Sequence, residues 1–257
     1  MSRYFFSKVI ALFAGIILLV IAYNHNANSL YVISGNAYGT TWSVSSPQYI
    51  ADNHKEAIKN IINDIDYVAS NYKSESEISK INMNFNEFQF VSDELFDILK
   101  IAKSVETISE GYYNIMLGKI SSSLGFAPDF GKNPLQKKLS TYELDETNRS
   151  LIRYSENWFD LSSIAKGYAV QKIHEYLSLS SLNNHLIDIG GELIISGSKN
   201  GKPWNIGIQN PLSNIDSSTT TINNENNCPR TSSFSFLILN SLKGIFFLIK
   251  ALIKAFF

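Results

Sequence analysis

The chain is short of the residues and patterns that mark the commoner chemistries. Cys228 is its single cysteine among 257 residues, so no internal disulfide can form and cysteine-rich zinc modules are excluded. Cations are in no surplus: 22 Lys+Arg stand against 23 Asp+Glu, a net charge of -1. Phosphate backbones are neutralised by excess basic residues, so a general nucleic-acid binder is excluded as well. His25, His54, His174 and His185 are scattered without ligand-like spacing and read as surface or packing residues, not metal ligands. No P-loop, G-x-G-x-x-G, H-E-x-x-H or G-x-S-x-G occurs, and no internal repeat.

What is present in quantity is apolar and aromatic side chain. With 44% hydrophobic and 12% aromatic residues the chain can bury the core of one medium-sized domain and is not disordered as a whole. At its start, Arg3 and Lys8 precede an apolar run from Val9 to Tyr23, which Tyr4 to Phe6 can extend. A positive segment followed by a hydrophobic one is a membrane address. No small-x-small cleavage site stands out in Asn24-His25-Asn26-Ala27-Asn28, so residues 1–28 are expected to remain as an anchor. The positive-inside rule then places the rest of the chain on the periplasmic side of the inner membrane.

Beyond the anchor the patterning alternates. Leu30-Tyr31-Val32-Ile33 and Thr41-Trp42-Ser43-Val44 read as strands around turn residues Gly35, Asn36 and Gly39. Ile58, Ile61, Ile62, Ile65, Val68 and Ala69 fall on one helical face, with Asn53 and Glu56 spaced as a capping box. A second helix is expected from Ser92, stapled by Val91 and Phe96 and closed at Gly111. Residues Pro128 to Thr147 read as a loop, and a third helix runs from about Ser163 to Leu177. Strands return at His185–Ile189, Leu193–Ile195 and Trp204–Ile208, separated by Gly190-Gly191 and Asn200-Gly201. Mixed strands and helices without strict βαβ alternation predict an α+β fold with a largely antiparallel sheet.

Composition changes after Pro211. Residues 213–233 are nearly all Ser, Thr and Asn and are expected to stay without order. Phe234 to Phe257 is apolar with Lys243, Lys250 and Lys254 interleaved, the pattern of an interfacial helix. The domains expected are therefore 1–28, 29–211 and 212–257.

The segment richest in chemistry is Asp160-Leu161-Ser162-Ser163-Ile164-Ala165-Lys166-Gly167-Tyr168-Ala169. An acid, two hydroxyls and a lysine at the start of a helix suit an anionic phosphate, because N–H groups and the helix dipole point there. They equally suit a plain helix start, with Ser162 as cap and Asp160 accepting the first N–H groups.

This run, with Leu186-Ile187-Asp188-Ile189-Gly190-Gly191-Glu192 and Gly201-Lys202-Pro203-Trp204-Asn205-Ile206-Gly207-Ile208, resembles the ApbE family of FAD:protein FMN transferases. Three upstream blocks agree in order: Gly39-Thr40-Thr41-Trp42, Ser70 to Asn82 with its Ser76-Glu77-Ile78 centre, and Gly111-Tyr112-Tyr113-Asn114. The resemblance implies an ApbE-like (T-fold-like) domain and a Mg²⁺-dependent transfer of FMN from FAD to a Ser or Thr hydroxyl of another protein, releasing AMP. It implies as acceptor a flavoprotein subunit of a membrane electron-transport complex, such as a sodium-translocating NADH:quinone reductase. By motif position, FAD contacts fall on Tyr38, Tyr72, Tyr112, Tyr113, Asn114, Asp160 and Lys166, and the Ser163 carbonyl on a metal-ligand position. No catalytic base is assigned.

The chain departs from the family at Asn114, where Asp is usual, and at Met116, where Thr is usual. It has no His-Ile-x-Asp-Pro segment, and no histidine lies after His185. Asp216 and Thr220 keep an Asp-x-x-x-Thr spacing only within the Ser/Thr/Asn run. The expectation is a truncated or frame-shifted member, its sequence foreign from about Leu212. The alternative function is a non-catalytic, membrane-tethered flavin-binding protein.

Overall fold

The computed structural model describes residues 3–27, 29–128, 140–209 and 218–223. Its first half runs α1 (Arg3–Ala27), β1 (Tyr31–Ala37), β2 (Thr40–Ser46), α2 (Asp52–Ala69), α3 (Glu77–Met83), β3 (Phe88–Phe90) and α4 (Asp93–Ile108). The second half runs α5 (Gly118–Ser123), β4 (Tyr142–Asp145), β5 (Ser150–Arg153), α6 (Ala165–Leu179), β6 (His185–Ile189), β7 (Glu192–Ser196), β8 (Asn205–Gln209) and β9 (Ser218–Asn223).

Alternating side chains make the main sheet. Trp42, Val44 and Ser46 on β2 and His185, Ile187 and Ile189 on β6 point to one buried face, as period-2 patterning requires. The order is β1-β2-β6-β7, and every paired strand among the described residues is antiparallel, as expected from the sequence. Both hairpins close on two residues with positive φ, Tyr38-Gly39 (52° and 71°) and Gly190-Gly191 (58° and 94°), the primed turns that match strand twist. Gly35 and Asn36, expected in the turn, lie in β1 instead, opposite Trp42 and Thr41. Gly35 is needed for space: a Cβ there would stand 2.8 Å from the Trp42 indole nitrogen.

Helices cover the buried face. α2 contributes Ile58, Ile62, Ile65, Val68 and Ala69, and packs on α6, which contributes Tyr168, Ala169, Ile173 and Leu177. α4 adds Leu95, Ile98, Leu99 and Ala102 against α2. Ser92 caps α4 as expected, accepting the Leu95 N–H at 3.2 Å, and Phe96 is buried. The capping box at α2 does not form: the helix starts at Asp52, with Ala51 at the cap and no side-chain cap bond. Asp52 in the first turn supplies the charge that favours a helix start.

A second, three-stranded sheet has the order β3-β5-β4. Its β4 lies inside the stretch read as loop, because only four residues are extended there and a strand that short leaves little periodicity to read. The Ser/Thr/Asn stretch likewise contains β9, paired with β8. Backbone pairing does not require apolar side chains, and threonine suits a pleated strand. α1 exposes Ile10, Leu12, Phe13, Ile17 and Leu18. Among the described residues no helix is long and apolar enough to cross a membrane.

One buried pair carries a pH consequence. His185 is fully buried. Its Nδ1 lies 2.6 Å from the Leu182 carbonyl, so Nδ1–H donates there, and Nε2 accepts from His174 Nδ1–H at 2.9 Å. Burial brings His185 down to about 4, opposed by the Leu182 carbonyl and reinforced by His174. Unfolding frees a group that takes a proton near its ordinary value, so the unfolded state binds more protons between the two values. Stability is intact above pH 6.5 and falls as pH drops toward 4, by roughly 2 kcal/mol between pH 7 and pH 5. Urea midpoints at pH 7.5, 6 and 5 should decline on this scale, and His185→Gln should remove most of the slope.

Candidate functional site

The site is organised around a segment that pairs with no strand among the described residues. Trp158, Phe159 and Leu161 are buried, yet the backbone from 158 to 164 belongs to none of the three sheets of the described residues. Its polar groups are met by side chains and neighbouring loops. Asn82 accepts the Phe159 N–H at 2.8 Å through Oδ1 and donates from Nδ2 to the Phe159 carbonyl at 2.9 Å. Asn71 donates to the same carbonyl at 2.6 Å and accepts the Leu161 N–H at 3.0 Å. A carboxamide offers a donor and an acceptor as a peptide does, so each asparagine replaces a strand partner. Asp160 N–H donates to the Ile115 carbonyl at 2.7 Å and Gly118 N–H to the Trp158 carbonyl at 2.8 Å.

The asparagines are themselves set. Asn71 lies just past the end of α2, where the Ser70 carbonyl accepts from the hydroxyls of Ser76 at 2.5 Å and Ser79 at 3.1 Å. Asn82 sits on α3, which Ser76 caps by accepting the Ser79 N–H. The Phe159 ring is edge-on to Tyr142 at 5.4 Å. Arg153, fully buried, lies 5.0 Å from the Phe85 ring and 5.9 Å from that of Phe159. Burial brings the Arg153 guanidinium down to about 10, opposed by the charge of Glu156.

Beside this segment opens a cleft of about 570 Å³ whose lining includes Tyr38, Asp66, Tyr72, Lys73, Ser162 and Lys166. Its volume lies in the range of small-molecule sites. Tyr38 presents its ring there while its hydroxyl donates to the Ile62 carbonyl at 2.8 Å. Burial, then the charge of Asp66, holds that phenol well above its usual range. Tyr72, 63% exposed, donates its hydroxyl to the Phe126 carbonyl at 2.5 Å. Lys73 pairs with the largely buried carboxylate of Asp66 at 2.5 Å. Lys166 stands in the first turn of α6 and has no carboxylate partner among the described residues.

The other expected residues are not in the lining of the cleft. Asp160 accepts the Ser162 N–H at 2.9 Å. No side chain caps α6, whose cap position is Ile164, so the plain-cap role for Ser162 does not hold. Tyr113 and Ser163 share a hydroxyl pair at 3.0 Å. Tyr113 is pushed up to about 12 by burial, with Asp160 and Glu106 adding to it and the Ser163 hydroxyl opposing. Tyr112 is 54% exposed. Asn114 donates to the Ser140 carbonyl at 3.2 Å and accepts the Met116 N–H at 2.7 Å, so both ends of its amide are engaged.

Asn71, Asn82, Asp66 and Lys73 received no role from the sequence. Asn82 closed a recognised Ser-Glu-Ile-x-x-x-Asn spacing but was given no role, and Asn71 stood in the same block with nothing to mark it. The ion pair joins residues across a helix end, where no i, i+4 regularity applies. Among the described residues no group of three His, Cys, Asp or Glu is placed to hold a metal. The Ser163 carbonyl is one oxygen, whereas Mg²⁺ demands a near-octahedral oxygen shell. The described residues alone do not fit a protein-held Mg²⁺, and no step is assigned to one.

Comparison with known proteins gives a consistent result. An FAD:protein FMN transferase of Haemophilus influenzae is 28% identical over 228 residues, covering 80% of this chain and 66% of that protein. Its counterpart in Vibrio cholerae is 28% identical over 195 residues, covering 70% and 58%. The chain thus spans less than two thirds of the length of these relatives. Among solved structures, the flavin transferase ApbE of Vibrio cholerae superposes with a TM-score of 0.64 at 23% identity, over 71% of this chain and 64% of that one. An ApbE protein of Thermotoga maritima gives 0.64 at 25% identity, over 76% and 67%. The family model of ApbE matches residues 38–233, a span that begins at the turn of the first hairpin and holds β2, the asparagine-held segment and the cleft, and the chain therefore belongs to the ApbE family.

Proposed function

We propose that the chain is an FAD:protein FMN transferase whose substrate FAD occupies the cleft. The observation that carries this reading is the meeting of aromatic faces (Tyr38, Tyr72) with two lysines (Lys73, Lys166) in one cleft of a chain of this family. A flavin nucleotide has that composition: flat rings and a pyrophosphate. The rings lie along the tyrosines, and Lys166, with no carboxylate partner among the described residues, offsets phosphate charge, while Lys73 remains paired with Asp66. Asp160 shapes the turn from which Ser162 and Lys166 face the phosphates.

In the reaction, a Ser or Thr hydroxyl oxygen of the acceptor protein bonds to the FMN-side phosphorus. The bond to the bridging oxygen breaks, AMP leaves with that oxygen, and the hydroxyl proton is released to a base. Positioning and charge stabilisation supply most of such a barrier reduction. Mg²⁺, in this reading, would be held mainly by the FAD phosphates, with the Ser163 carbonyl as one protein oxygen, and would offset the pyrophosphate charge. The acceptor is a flavoprotein subunit of a membrane electron-transport complex, such as a sodium-translocating NADH:quinone reductase. Residues 1–28 anchor the chain in the inner membrane with the domain on the periplasmic side; support comes from Arg3 and Lys8 preceding the exposed apolar surface of α1.

A second reading is flavin binding without transfer. It is favoured by one observation: among the described residues, no histidine lines the cleft.

The full chain, purified in detergent and incubated with FAD, Mg²⁺ and a Ser/Thr-bearing acceptor protein, should yield a covalent fluorescent band after denaturation, together with AMP. Retained FAD without a band selects the second reading, and a chain that does not bind FAD overturns both. Lys166→Ala should weaken FAD binding about tenfold or more by flavin fluorescence, the loss of one charge-assisted contact. Asn114→Asp keeps the acceptor for Met116 and loses the donor to Ser140, so its urea midpoint should correspond to a loss of about 1 kcal/mol. The full chain should stay with membranes in carbonate extraction and the chain lacking residues 1–28 should be released; release of the full chain would overturn the anchor, and retention of the shortened one would assign the hold to residues 234–257.

A further inference from the structure

Resting on that reading of the cleft, we propose that Asn71 and Asn82 are positioning residues for FAD, acting by locking the Phe159 peptide and thereby the separation of the cleft walls. The cleft is lined by three stretches of distant sequence: the hairpin tip at Tyr38 and Gly39, the end of α2 with the turn beyond it from Ile65 to Lys73, and Ser162, Ala165 and Lys166 at the start of α6. The last two are the walls that concern the asparagines. Asn71 belongs to the α2 wall, and its amide bonds the Phe159 carbonyl and the Leu161 N–H immediately before the α6 wall. It is a cross-brace between the walls. Asn82 does not line the cleft, yet it grips the same residue at both its N–H and its carbonyl.

Together the two side chains give the Phe159 carbonyl two amide donors, which fill both its lone pairs. That peptide cannot rotate without breaking several buried bonds, each costly to leave unmade. Through Asp160 and its bond to the Ser162 N–H, the locked peptide sets where Ser162 and Lys166 stand. Neither asparagine has to touch the substrate to do this. A shift of about an ångström in such a wall is enough to lose most of the benefit of orientation.

The test is Asn82→Asp in the full chain, read as FAD affinity by fluorescence against pH, with near-UV circular dichroism as the check of folding. An ionised carboxylate facing the Phe159 carbonyl has no proton to donate, whereas a protonated one restores donor and acceptor together. FAD affinity at pH 8 should therefore fall at least tenfold and recover toward wild type near pH 5.5, while wild-type affinity shows no such recovery. Ile98→Val, a core change on α4, should leave affinity within twofold and show no pH recovery. If Asn82→Asp does not fold, Asn71→Ser serves, and its FAD affinity should fall at least tenfold while the fold is kept. A folded variant that binds FAD as wild type does, or an Ile98→Val loss equal to that of Asn82→Asp, would overturn the inference alone. A wild-type chain that does not bind FAD overturns the proposed function and this inference with it.

Discussion

The Phe159 peptide held between Asn71 and Asn82 is the constraint on which the cleft depends. A buried extended segment would ordinarily satisfy its backbone by joining a sheet. Here the chain must leave the sheets to enter α6 at the cleft, so pairing is done by side chains. The benefit is local: the backbone is hydrogen-bonded at Phe159 and Leu161 yet the segment can bend within a few residues, which a strand in a ladder cannot do. The cost is dependence on a relay, since Asn71 is placed by the Ser70 turn and Asn82 by a helix of only seven residues.

Around that point the apolar core supplies rigidity. α2 and α6 lie together on the buried face of the main sheet, and both line the cleft at their ends, α2 at its C-terminus and α6 at its N-terminus. The dipole of α2 there disfavours an anion and that of α6 favours one. On the α2 side Lys73 is paired with Asp66 and its charge is met there. The cleft is therefore graded in charge, most accommodating to phosphate near Ser162 and Lys166.

Much of this was legible in the sequence. Period-2 runs marked β2 and β6, helical spacing marked α2, α4 and α6, and Gly190-Gly191 marked its hairpin. The ordered motifs pointed to the family that the comparisons support. What escaped was short or cooperative. β4 and α5 are too brief to show a period, and β9 is held by pairing with β8 and not by its own composition. Gly35 read as a turn because its reason for being glycine, the Trp42 indole, lies across the hairpin. Of the expected contacts, Tyr38, Tyr72 and Lys166 line the cleft because each stands at or near the end of an element that faces it. Asn114 was chosen for its motif position, and only the fold shows its amide occupied on both sides by backbone.

Tyr38 has a consequence for how a ligand comes and goes. Its backbone forms the tip of the first hairpin while its hydroxyl is tied to the Ile62 carbonyl inside α2, so the tip is fastened to the helix and cannot swing outward without breaking that bond. Tyr72 is the opposite case, an exposed ring whose hydroxyl is held by the Phe126 carbonyl of a loop. The cleft thus has a fixed jamb on one side and a latch on the other. The two aromatic residues of the cleft therefore differ in what holds them, a helix carbonyl for Tyr38 and a loop carbonyl for Tyr72.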